Sequence, residues 1–110
     1  MKTITFTTLL LSLAVTGCQN TQPTEQELDE ATIALEKSEK VLGTYVDRLE
    51  SEFTTQDVRT KILCKDYPHE YKTNYVPNML TLSSEYTEAV LLSDLDRVLK
   101  HYKQQDQIQC

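Results

Sequence analysis

The chain has 110 residues, 39% hydrophobic and 25% charged, with two Gly, three Pro, three Cys and no Trp. That is enough for one small domain and excludes a multidomain enzyme. Seventeen Asp/Glu against eleven Lys/Arg disfavour nucleic acid or an anionic membrane face as a partner.

The N-terminus opens with Met1-Lys2, followed by an apolar run of Ile4, Phe6, Leu9, Leu10, Leu11, Leu13, Ala14 and Val15 broken by Thr and Ser. The run is too short to span a bilayer and reads as an export signal. It ends in Val15-Thr16-Gly17-Cys18, which resembles the lipobox of bacterial lipoproteins. The resemblance implies that residues 1–17 are removed as a signal peptide and that Cys18 carries the lipid. An ordinary secretory signal with an incidental Cys is the alternative. Two or three acyl chains, as in lipoproteins, give stable anchoring at about 0.8 kcal/mol per buried methylene. Gln19 stands where lipoproteins retained in the inner membrane often carry Asp, so the resemblance places the chain in the outer membrane, facing the periplasm.

Residues 18–23 form a short lipidated tether, because Gln19-Asn20-Thr21-Gln22-Pro23 is wholly polar apart from the proline. A helical domain is expected over 24–110. Thr24 with Glu27 three residues on is a capping-box pattern. From there Leu28, Ala31, Leu35, Ser38, Leu42, Tyr45 and Leu49 keep 3-4 spacing, the clearest periodic signal in the chain. Val41, Val46 and Phe53 widen the stripe in its second half. The pattern predicts a long amphipathic, partly heptad helix, either a seam for another protein's helix through Leu28, Leu35 and Leu42 or one face of the chain's own bundle. Residues 24–52 hold nine acids and three bases, against eight and seven in 53–110, so the excess negative charge is expected on this first helix.

Thr54 to Asp57 can cap a second helix carrying Val58, Ile62 and Leu63 on its buried side. Tyr67, Tyr71, Tyr75 and Met79 then follow at intervals of four. With Pro68 in a first turn, this predicts a short helix ended before Pro77. Its tyrosine edge serves either as a partner surface or as core filling. Ser83-Ser84-Glu85 is expected to open the last helical region, with Leu92, Leu95, Leu99 and Tyr102 at 3-4 spacing and Lys100, His101 and Lys103 near its end. Ser93 with Asp96 leaves open whether that region is one helix or two. With almost no strand signal, the fold expected is an all-α small helical bundle.

Three cysteines less Cys18 leave Cys64 and Cys110, an even pair in an oxidising compartment and therefore one disulfide. It is either an intramolecular staple or a bridge to a second copy, giving a homodimer through the chain end. No metal, cofactor or catalytic set is recognisable. His69-Glu70 lacks the second His of a helical zinc site, His101 sits among lysines, and there is neither a phosphate-binding glycine loop nor a serine elbow. The expectation is a non-enzymatic binding protein whose partner offers a helical segment.

Lipobox, short length and a heptad seam beside the anchor resemble, in architecture, the outer spanin lipoprotein subunits of phages. Those meet a coiled-coil partner from the inner membrane during host lysis. The layout is also similar to pilotins, helical disulfide-bonded lipoproteins that guide secretins to the outer membrane by gripping a helix. Here the seam and the Tyr67, Tyr71 and Tyr75 edge would form the groove. A surface exclusion or inhibitor lipoprotein is a third reading, and its reactive loop would have to be the segment from Asp66 to Pro77.

Overall fold

The computed structural model describes residues 22–110, so the expected signal peptide and Cys18 lie outside the described residues. Three helices make up the all-α fold: α1 over Glu25–Glu50, α2 over residues 56–82, and α3 over Glu88–Asp106. No strand occurs among the described residues.

Helix α1 begins at the predicted capping box. The Thr24 N–H donates to Glu27 Oε2 at 2.9 Å, and the Glu27 N–H donates to Thr24 Oγ1 at 3.2 Å. This satisfies two of the four amide donors a helix start leaves free. The helix turns every residue of its seam inward: Ala31, Ser38, Leu42 and Leu49 are buried, and Leu28, Leu35 and Tyr45 half-buried. Phe53, expected on the same stripe, lies past the helix end and is 93% exposed.

Helix α2 differs most from expectation. Thr55 caps it, accepting from the Val58 N–H at 3.4 Å, but Val58 is exposed. The helix passes through both prolines and continues to Leu82 instead of ending before Pro77. A proline lacks an amide donor and crowds the carbonyl four residues back, which normally breaks a helix. Here a π-helical turn precedes each proline, over Ile62–Asp66 and Tyr71–Tyr75. The Tyr67 N–H bonds to Ile62 O and the Val76 N–H to Tyr71 O, five residues back. Each widened turn adds a residue, so the buried positions step by five, four and five through Ile62, Tyr67, Tyr71 and Val76. Tyr75, which steps of four would bury, is half-buried beside Val76.

Helix α3 is one helix and starts later than expected, at Glu88, with Thr87 Oγ1 accepting from the Val90 N–H at 3.2 Å. Leu91, Leu95, Leu99 and Tyr102 are its buried edge. Gln107 ends it in the left-handed conformation (φ 56°), the Ile108 N–H bonds back to Lys103 O at 2.9 Å, and Ile108 is buried. This is the Schellman arrangement, with its usual apolar residue after the left-handed one. The turn directs Cys110 to Cys64, and the two are joined as an intramolecular disulfide with Cα atoms 5.5 Å apart.

Helices α1 and α2 form an antiparallel hairpin, since Pro23, Glu27 and Ala31 lie beside Asn78, Leu80 and Thr81. Helix α3 returns along α2 from the level of Tyr71, whose hydroxyl donates to Leu91 O at 2.9 Å. It reaches Gln56 and Glu50 at the other end. The molecule therefore has a three-helix end fastened by the disulfide and a two-helix end where α1 and α2 run past α3.

Candidate functional site

Of the residues read as a partner surface, Leu42, Tyr67 and Tyr71 are buried at 7% exposure each. They belong to the chain's own core, together with Leu49, Ile62, Leu63, Leu91 and Leu95. Of the two readings of the α1 seam, the chain's own bundle holds at Leu42 and Leu49, because α2 runs antiparallel along α1 and covers them. Leu28, Leu35 and Tyr75 are half-buried, and Leu28 and Leu35 lie on the part of α1 that extends toward the two-helix end.

The tyrosines form one ladder. Ring centroids of Tyr45 and Tyr67 are 6.4 Å apart, those of Tyr67 and Tyr71 6.2 Å, and those of Tyr71 and Tyr75 4.7 Å. Burial pushes all four phenols above their ordinary value, helped by nearby acids at Tyr45 and by Asp94 at Tyr71. The same holds for Tyr102, where burial is followed by the hydrogen bond its hydroxyl donates to Glu50 at 3.0 Å. These rings are protonated packing elements at neutral pH, each with an apolar body and a polar tip.

Arg59 holds the fastened end together and was not singled out by sequence. Its guanidinium donates to the backbone carbonyls of Leu49 and Ser51, to Thr54 O at 3.1 Å, and to the Asp106 carboxylate at 3.2 Å. It thereby caps carbonyls that the end of α1 leaves free and ties them to the end of α3. Nothing in its local sequence signals this role, since its partners lie up to 47 residues away.

His69 is exposed, and His101 stands edge-on to the Tyr102 ring with centroids 4.9 Å apart. Among the described residues no group of three His, Cys, Asp or Glu could hold a metal ion, and no helix is long and apolar enough to cross a membrane. The segment from Asp66 to Pro77 is helix, so it is not a loop that could present a reactive group.

Among the described residues a furrow lies at the two-helix end. Its floor is Ala31, Ala34 and Leu80, with Thr81 and Ser84 beside them, and Glu27 and Glu30 stand on its rim. The small side chains on α1 leave the furrow, and α3 starts too late in the chain to fill it. Its lining is apolar as well as acidic, with Leu80 36% exposed. Such a surface suits contact with another chain better than chemistry. No family model, curated protein or solved structure matches this chain.

Proposed function

We propose that the chain is a non-enzymatic lipoprotein of the outer membrane, held there by an acylated Cys18, that works by binding a helical segment of a second protein. In its most specific form it is a phage outer spanin subunit acting in host lysis. The observation that carries the binding role is the open two-helix end, whose apolar furrow lies between α1 and the last turns of α2. The anchor rests on Val15-Thr16-Gly17-Cys18 behind the apolar run.

The two parts fit together geometrically. Residue 22 lies at the open end, and the four residues from Cys18 reach at most about 14 Å, so the anchor turns the furrow toward the bilayer. The partner is met close to the membrane. The 26 residues of α1 rise only about 39 Å at 1.5 Å per residue, so in a complex bridging two membranes the partner supplies most of the span. A pilotin-like chaperone of a secretin is the second reading. It is favoured by the furrow being a preformed groove beside a domain whose own seam is already filled.

Two experiments test the proposal. Cys18→Ser should release the protein from the outer-membrane fraction, and a variant that still sediments with that membrane would refute the anchor. Deletion of the gene should stop lysis at the outer-membrane step if the chain is a spanin, or leave secretin multimers outside the outer membrane if it is a pilotin. Normal lysis together with normal secretin assembly would refute both.

A further inference from the structure

The charge of the molecule is segregated in a way the linear sequence hides. Residues 22–36 and 73–93, which the fold brings to the open end and to the start of α3 beside it, carry Glu25, Glu27, Asp29, Glu30, Glu36, Glu85 and Glu88 and no Lys, Arg or His. The rest of the described chain, residues 37–72 and 94–110, carries ten acids and ten Lys/Arg. The whole net negative charge of the described residues therefore sits at one end. Among the described residues, four of the six large apolar side chains that are exposed, Ile33, Leu80, Tyr86 and Val90, lie in the same stretches.

We infer that the furrow at this end docks a cationic amphipathic helix of another protein. This rests on the reading of the chain as a helix-binding protein but not on its lipid anchor. The floor of Ala31, Ala34 and Leu80 calls for an apolar stripe, and the rim of Glu27 and Glu30 calls for Lys or Arg flanking it. From Glu27 to Ala34 the furrow follows α1 for about 11 Å, or two helical turns, which accepts three or four apolar anchors at i, i+3, i+4 and i+7 spacing. A second copy docked symmetrically would set seven carboxylates against seven. An anionic bilayer would meet the same repulsion, and neither supplies the missing cations.

The test uses residues 22–110, which carry the described core, helices α1 to α3 and the disulfide. The probe is a labelled peptide of about five helical turns made of Leu, Lys and Ala, with Leu on one face and Lys flanking it; the control is the same composition in scrambled order. The amphipathic peptide should bind at least about ten-fold more tightly than the scrambled one, and more weakly as salt rises. Glu30→Lys and, separately, Leu80→Lys should each weaken it at least about ten-fold, while Phe53→Ala at the fastened end leaves it unchanged. Equal binding of the two peptides, or binding indifferent to both furrow substitutions, would overturn the inference. So would self-association lost in Leu80→Lys, or tighter binding to phosphatidylglycerol vesicles than to the peptide. Failure here with Cys18→Ser still releasing the protein from the membrane would reject the partner chemistry and leave the anchored role standing.

Discussion

Replacing Arg59 by Met keeps the length and apolar stem of the side chain but removes a guanidinium that bonds three backbone carbonyls and the Asp106 carboxylate. Hydrogen bonds to charged groups contribute about 1.5–3 kcal/mol each. The carbonyls can turn partly to water when the cation is lost, whereas the Asp106 side chain, 12% exposed like that of Arg59, is left with little solvent. A net loss of about 3–4 kcal/mol follows, the upper range for breaking a half-buried network. In a domain of this size about 1 kcal/mol moves Tm by 4–8 °C, so Arg59→Met should melt about 12–32 °C below the parent by circular dichroism with the disulfide intact. Asp106→Asn keeps an oxygen acceptor and should cost about 1 kcal/mol. Arg59→Lys should recover only part of the loss, because one ammonium cannot serve four acceptors in fork geometry. An Arg59→Met melt within about 4 °C of the parent, or an equal loss in Asp106→Asn, would refute the claim that one cation fastens the ends of α1 and α3.

Further expectations concern the core and the staple. Ser38 Oγ is buried, at 1% residue exposure, with no hydrogen-bond partner; Ser38→Ala should therefore stabilise the protein by about 1 kcal/mol in urea titration, and a loss of stability would show that the hydroxyl is satisfied. Reducing Cys64–Cys110, which closes a loop of 46 residues' separation, should cost about 4 kcal/mol on the loop-entropy account; unchanged urea midpoints with and without reductant would contradict it. Because burial raises the phenols of Tyr45, Tyr67, Tyr71, Tyr75 and Tyr102 in the folded state, the unfolded chain loses its phenolic protons first. Stability from this source is fully present below about pH 10 and falls as pH rises above it. Equal unfolding free energies at neutral pH and a unit above the ordinary tyrosine value would be inconsistent with those environments.

Much of the fold was legible because its signals are local. Thr24 and Glu27 announce a helix start within four residues, the 3-4 seam on α1 and the leucines of α3 carry their burial in their spacing, and the parity of cysteines pairs Cys64 with Cys110. The prolines misled, because proline is read as a helix stop; the π-turns that pass Pro68 and Pro77 appear only as a five-residue step from Ile62 to Tyr67 and from Tyr71 to Val76. Phe53 fits the α1 stripe by spacing but falls after the helix has ended at Glu50. Leu42, Tyr67 and Tyr71 were legible as apolar positions that were either core or partner surface, since an amphipathic face looks the same whether α2 or another protein covers it.

The open end was the least legible part. Divided at residue 52, the chain shows acid excess on its first helix with bases mixed in. Only the antiparallel pairing of α1 with α2, and the late start of α3, place residues 22–36 beside 73–93 and reveal seven carboxylates without a cation. Arg59 was hidden for the converse reason: a single arginine in a polar stretch gives no sign that its acceptors are the end of one helix and the end of another.

The central claim is that the open end, not the fastened one, meets the partner. Its most direct test is in-cell photocrosslinking from a photoreactive residue at Ile33 compared with one at Phe53, which are 68% and 93% exposed. One defined protein adduct is expected from Ile33 and none from Phe53, although Phe53 is the more exposed. The same adduct from Phe53, or an adduct from Phe53 alone, would contradict the claim.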